Sequence, residues 1–220
     1  MKDRKSSRVC PTTEAEARFW MRGLIRVAGL DEAGRGAWAG PVYAAAVILP
    51  QDAEALASLD GVRDSKQLSP SQREILAIRI ADVALTVGVG RGEQAEIDTL
   101  GIVPATRLAM RRALHALSAA PQALVIDALT LPGVDLPQDA FPYADLRSLS
   151  VAAAGIVAKV SRDLWMVDVA DVEFPGYGFA QHKGYGTRQH QEALGRLGIC
   201  PIHRTSFRPI AVRVGESEEI

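Results

Sequence analysis

The sequence has almost no net charge, with 25 Lys and Arg against 26 Asp and Glu in 220 residues. A chain attracted to nucleic acid by a global positive field is excluded, so any such surface must be local. Cysteine is scarce too. Cys10 and Cys200 lie near opposite ends without Cys-x-x-Cys spacing, which argues against a zinc site and a disulfide scaffold and fits reduced thiols in a cytoplasmic protein. Long apolar runs are missing. Lys2, Arg4 and Lys5 are followed by Thr12, Glu14, Glu16 and Arg18 rather than the apolar core of a signal peptide, and later runs are too short or too interrupted by charge to span a membrane. Internal repeats and low-complexity segments are absent as well.

What remains is a length suited to one domain with a small appendage. Charge is uneven along it: residues 51–146 carry 8 basic and 13 acidic side chains, residues 147–213 carry 9 and 5. The later third is either a basic face or ordinary scatter. Residues 1–24 read as a partly disordered leader, helical from Thr13 to Leu24, with Phe19, Trp20 and Leu24 on one face. Apolar runs at 25–30, 42–49 and 123–126 and the alternating segment 83–89 predict strands. Ser69-Pro70-Ser71-Gln72 is a helix start, with an N-cap serine, proline at the first helical position and glutamine at the third, and predicts a helix to about Ala81. Further helices are expected over 103–117, 149–166 and from Thr187 to Gly198. Strands interleaved with helices give an α/β domain with a mixed sheet over 25–213, ending in a small helical extension from about residue 175 and an acidic tail, 214–220.

Two of the apolar runs finish on acids, Asp31-Glu32 and Asp127, and Asp145 stands just before the alanine-rich helix. One such carboxylate usually bonds loop amides. Four arriving at element ends can instead converge, and hard oxygen ligands suit Mg²⁺ or Mn²⁺, two of which can activate water and stabilise the leaving oxygen of a phosphodiester. Gly34-Arg35-Gly36 follows the first pair, either as a simple turn or as a loop whose backbone approaches a ligand closely. Asp64-Ser65-Lys66, before a helix start, is either a phosphate contact or a solvated loop. His182, His190 and His203 have no tight ligand spacing and read as packing histidines.

With these residues assembled, the chain resembles ribonuclease HII, the type 2 ribonuclease H family. The resemblance runs through GLDEAGRGAWAGPVYAAAV (29–47), DSKQLS (64–69), VIDAL (125–129), SVAAAGIVAKVSRD (150–163), YGFAQHKGYGT (177–187) and HRTSF (203–207), in the family's order over roughly residues 26–210. It implies an RNase H-like mixed β-sheet flanked by helices. It also implies a four-carboxylate site for two divalent ions, Mg²⁺ or Mn²⁺, formed by Asp31, Glu32, Asp127 and Asp145. Gly34, Arg35 and Gly36 would contact the ribonucleotide at the cut, including the 2′-hydroxyl that separates RNA from DNA. Tyr185 would stack on the sugar where RNA changes to DNA, the alternative being a core tyrosine. Ser65 and Lys66 take the place of phosphate contacts, and Lys159 and Arg162 either serve the substrate groove or are solvated helix charges.

The implied activity is hydrolysis of RNA in RNA–DNA hybrids and nicking at ribonucleotides embedded in duplex DNA, leaving 3′-hydroxyl and 5′-phosphate ends, by a monomer. A noncatalytic hybrid-binding module and another metal nuclease or integrase on the same sheet are the competing readings. Three positions depart from the family pattern: Ala37 where proline is common, Gly155 where serine is usual, and Gly101 where asparagine is frequent. Tyr143-Ala144 likewise replaces the Lys-Gly that often precedes the fourth acid. Residues 214–220 are acidic and lack the paired aromatics of a sliding-clamp peptide, so no clamp motif is evident.

Overall fold

The computed structural model describes residues 10–218, and side chains to residue 213. The first residues of the leader and the end of the acidic tail lie outside the described residues. In chain order the elements are α1 (Glu14–Trp20), β1 (Val27–Ala33), β2 (Val42–Ile48), α2 (Ala53–Ala57), α3 (Pro70–Val83), β3 (Thr86–Gly92), α4 (Gln94–Leu100), α5 (Ile102–His115), β4 (Ala123–Asp127) and β5 (Gln138–Phe141). Then come α6 (Leu149–Trp165), α7 (Asp171–Glu173), α8 (Phe179–His182), α9 (Arg188–Leu197) and α10 (Arg208–Glu218).

The sheet order is β3-β2-β1-β4-β5. β1 pairs antiparallel with β2 and parallel with β4, so the sheet is mixed as expected. All of β2 is buried because both faces are covered. Ala45 and Val47 join a core with α3 and α6, whereas Ala44, Ala46 and Ile48 join one with α5. Burying Leu30 or Ile48 completely contributes roughly 1.5–3 kcal/mol each, which makes this three-layer centre the stable part of the molecule.

Local chemistry sets the element ends. Ser69 Oγ accepts from Gln72 N–H at 3.3 Å and Gln72 Oε1 accepts from Ser69 N–H at 2.9 Å, the reciprocal cap that the sequence predicts. The following strand starts later than expected: α3 continues to Val83, and β3 begins at Thr86. Small residues bring helices onto strands. Cβ atoms added at Gly88 and Gly90 would overlap the carbonyl oxygens of Ala113 and Ala109 on α5, and one at Gly29 would overlap Ser150 and Val151 on α6. Backbone cannot yield as a side-chain tip does, so Gly29→Ala is expected to destabilise the fold by about 3 kcal/mol. Urea unfolding checks this, and an unchanged midpoint would show that α6 lies farther from β1.

The helical end of the leader packs into the domain. Ala15 and Phe19 meet Val27, Ala123, Val125 and Val151. Glu16, 1% exposed, receives hydrogen bonds at Oε1 from Ser150 N–H at 2.9 Å and from the hydroxyls of Ser148 and Ser150. Its carboxylate therefore sits at the N-terminus of α6, where unpaired N–H groups favour negative charge. Two of the family departures have local reasons. Gly101, between α4 and α5, has φ 85° and ψ 160°, a region essentially confined to glycine. Ala37 donates its N–H to Gly34 O at 3.3 Å, which proline cannot do.

Candidate active site

Asp31 and Glu32 lie within β1, which continues to Ala33, rather than at its end as the apolar run suggests. Asp31 pairs with Ala45 and Glu32 with Ala44 of β2. Strand alternation sends them to opposite faces: Asp31 toward α6 with Gly29 and Ala33, Glu32 toward the α5 side with Leu30. On the other edge of β1, pairing with β4 runs only to Leu30 opposite Ile126. Asp31 and Asp127 thus follow the last paired rung of two parallel strands, on the same face, where the strands part. The end of β4 anchors the fourth acid, because Asp127 Oδ1 accepts from Ala144 N–H at 2.8 Å and Asp145 comes next, in the 3₁₀ turn Ala144–Leu146.

These groups feel one another. Burial, followed by the charges of Glu32 and Asp127, raises the Asp31 carboxyl well above its usual value. Burial also raises Glu32 and Asp145; Arg35 opposes the rise in Glu32, and the charge of Asp127 adds to that in Asp145. Despite burial, the charges of Asp64, Asp31, Asp145 and Asp127 hold Lys66 above its usual value. Ser65 lies in the adjoining turn, where Asp64 Oδ1 accepts Lys66 N–H at 2.9 Å.

Among the described residues, no three histidine, cysteine or acidic side chains are gathered tightly enough to ligate one ion as they stand. Asp31 supplies a reason. Its Oδ1 accepts Glu32 N–H at 2.7 Å and its Oδ2 occupies the space that a Cβ on Gly155 would take. Glu32 Oε1 is engaged by Arg35 at 3.2 Å, whereas Glu32 Oε2 is buried without a partner. Neighbouring, largely desolvated carboxylates with an orphaned buried oxygen are the kind of donor set that hard divalent cations neutralise, so the residues fit such ions.

The expected substrate contacts come together on neighbouring turns. Gly34 has φ 92°, Arg35 is half-buried and Gly36 is exposed. The Trp38 N–H donates to Gly184 O at 2.8 Å and joins this loop to the segment carrying Tyr185. Tyr185 is half-buried rather than a core side chain, and the Lys159 ammonium and Arg162 guanidinium lie 5.6 and 5.4 Å from its ring centre. Arg162 is not the solvated helix charge that was one expectation for it: it is fully buried, against that ring.

The histidines pack as expected, but in a connected set whose tautomers the backbone assigns. Cys200 N–H donates to His203 Nδ1 at 2.8 Å, which leaves His203 Nε2–H to donate to His190 Nε2 at 3.0 Å. His190 Nδ1–H then donates to Tyr185 O at 3.1 Å. Burial lowers both His190 and His203 to about 4. The unfolded chain, with pKa near 6.5, takes up protons first as pH falls, so the stability from these neutral rings is complete above pH 6.5 and is lost progressively toward pH 4. For one ring the loss is about 2 kcal/mol by pH 5 and about 3 kcal/mol by pH 4. Urea midpoints should therefore fall less between pH 7 and 5 in a His190→Gln, His203→Gln double variant than in the parent chain, and equal falls would remove the histidines as the cause.

Sequence reasoning missed two other acids that position these segments. Asp98 accepts from the N–H and hydroxyl groups of Thr205 and Ser206 at 2.6–3.0 Å, fixing the chain after His203 to α4. Burial pushes the Asp98 carboxyl up, but these hydrogen bonds outweigh it and hold the group below its usual value. Glu16 is the other, and no local pattern marks it, because its serine partners lie more than a hundred residues away.

A mixed sheet in this strand order, with acids where two parallel strands part, is a fold of the ribonuclease H type, and the solved structures agree. Ribonuclease H2 from Pyrococcus horikoshii superposes with a TM-score of 0.72 at 26% identity, over 89% of this chain and 100% of that one. Bst-RNase HIII, solved in complex with Mn2+, shares the fold, with a TM-score of 0.67 at 19% identity over 90% of this chain and 71% of that one. The family model for ribonuclease HII matches residues 28–210, and the ribonuclease HII of Thermus thermophilus is 55% identical over 89% of this chain and 92% of its own. The chain belongs to the ribonuclease HII family, whose members are divalent-metal-dependent ribonuclease H endonucleases. No helix among the described residues is long and apolar enough to cross a membrane.

Proposed function

We propose that the chain cuts the RNA strand of RNA–DNA hybrids and nicks duplex DNA at embedded ribonucleotides, leaving 3′-hydroxyl and 5′-phosphate ends. The observation that carries this reading is the placement of Asp31-Glu32 and Asp127 just past the last paired rung of β1 and β4, with Asp127 holding the turn of Asp145, beside a glycine loop bonded to the Tyr185 turn. Two divalent ions, Mg²⁺ or Mn²⁺, would when bound supply an activated water and positive charge for the leaving oxygen.

The chain's own contribution is holding and selecting. Asp31, Glu32, Asp127 and Asp145 hold the ions, and Ser65 with Lys66 meets the phosphate backbone. Gly36 is exposed and Gly34 carries no side chain, so the peptide groups around Arg35 can approach the 2′-hydroxyl closely. Tyr185 presents a ring face backed by two cations to the sugar at the RNA-to-DNA junction. The protein acts as a monomer, and its free Cys10 and Cys200 suit a reducing cytoplasm.

Tyr185→Ala tests the selective part. Loss of cutting is expected to be about 10-fold or more at a single ribonucleotide in DNA and much smaller on a long hybrid, taking the loss of one aromatic contact to a nucleotide as on the order of 1–3 kcal/mol, the scale of a base stacked on a ring. Equal losses on the two substrates would remove Tyr185 from the junction.

A further inference from the structure

Two arginines that reach into the loops carrying the substrate contacts from outside them are fully buried, and neither forms an ion pair among the described residues. A buried guanidinium is costly, and a fold that needed only filling there would use an apolar side chain. The donors go to one kind of acceptor, backbone carbonyls of the loop after β1 and of the Tyr185 turn. Arg162, from α6, donates through Nε to Pro41 O at 3.0 Å, through Nη2 to Ala39 O at 3.1 Å and through Nη1 to Lys183 O at 3.0 Å. Arg204 donates through Nε to Gly40 O at 2.9 Å and through Nη1 to Arg35 O at 2.9 Å, and its Nη2 is buried without a partner.

The glycines are shaped around these side chains. A Cβ on Gly34 would overlap the Arg162 guanidinium, and one on Gly184, at φ 77°, would approach Ala39 O to 2.5 Å. The Trp38 peptide closes the unit, donating to Gly184 O and accepting from Arg204 N–H, each at 2.8 Å. The rigid fork of a guanidinium fixes several carbonyls at once, which a single ammonium cannot do.

We propose that Arg162 and Arg204 are positioning residues for ribonucleotide selection: they hold the 34–41 loop by its carbonyls and lock it to the 183–185 turn, so that Gly34 to Gly36 and Tyr185 meet the substrate as one preset unit. This rests on the substrate contacts proposed above. Neither arginine touches the substrate, and both act through the peptide groups they orient. Arg162 also lies against the Tyr185 ring, so the phenol and the glycine loop share one support.

The test is a double-mutant cycle in the full chain, with Arg162→Lys and Tyr185→Ala singly and together, assayed on duplex DNA carrying one ribonucleotide and on a long RNA–DNA hybrid. Arg204→Lys is a parallel arm should Arg162→Lys fold poorly, and circular dichroism and Mn²⁺ titration calorimetry monitor the fold and the carboxylate cluster. Arg162→Lys is expected to bind Mn²⁺ normally and to lose about 100-fold in kcat at the single ribonucleotide, the scale of an ångström of misplacement, with a much smaller loss on the hybrid. In the Tyr185→Ala background the same change should cost measurably less, because the part transmitted through the ring is already lost and only the part transmitted through the glycine loop remains. Independent, multiplicative losses, or equal losses on both substrates, would overturn the proposal. Failure of the parent chain to nick at the ribonucleotide would instead overturn the function on which it rests.

Discussion

Asp127→Asn is expected to give a folded protein that binds RNA–DNA hybrid and cuts it about 1,000-fold more slowly, or worse. The expectation follows from the two tasks of this side chain. Asp127 Oδ1 accepts the Ala144 N–H and so fixes the turn that carries Asp145, a role that an asparagine carbonyl can keep. Only the charge is lost, one of the four proposed to hold the ions where β1 and β4 part. Thermal unfolding near that of the parent chain, with hybrid binding retained and turnover gone, is the predicted combination. Near-normal turnover would take Asp127 out of the site.

Gly34→Ala is expected to be nearly as damaging to ribonucleotide selection. Gly34 sits at φ 92°, unfavourable for any residue with a Cβ, and that Cβ would also strike the Arg162 guanidinium. The loop can relieve both strains only by moving, which displaces the Arg35 and Gly36 peptides. Cutting at a single ribonucleotide should fall about 100-fold, while Asp31, farther back on β1, keeps its place. A Gly34→Ala variant that nicks as well as the parent would show that the loop is a plain connection.

How much of this was legible depends on how local each cause is. The strand 42–49 and the run before Asp127 show in the sequence because both faces of the central sheet are covered, which makes the strands continuously apolar. The Ser69 cap is legible because all its partners lie within three residues. β5 is not: Gln138–Phe141 is half-buried throughout, and what fixes it is pairing with β4 and the bonds from Gln138 to Leu131 and Val134. α4 was missed because its start uses Glu96 to accept Glu93 N–H, an uncommon pairing of two glutamates.

The site divides in the same way. Its acids are visible as charges interrupting apolar runs, and their family resemblance covers the glycine loop and Tyr185 as well. Their orientation is not visible. That Asp31 leans into the space left by Gly155 depends on a helix more than a hundred residues away. Arg162 illustrates the same limit. On a helix rich in alanine it reads as either a groove residue or a solvated charge, and only the fold reveals that Gly34 leaves room for it beneath the loop.

The measurement that bears most directly on the central claim is product mapping on a DNA duplex with one ribonucleotide, beside an all-DNA duplex, with Mg²⁺, with Mn²⁺ and with chelator. The account predicts one metal-dependent nick at the ribonucleotide, with 3′-hydroxyl and 5′-phosphate ends, and an intact all-DNA control. A duplex left whole with both metals, or cut alike in the all-DNA control, would contradict it.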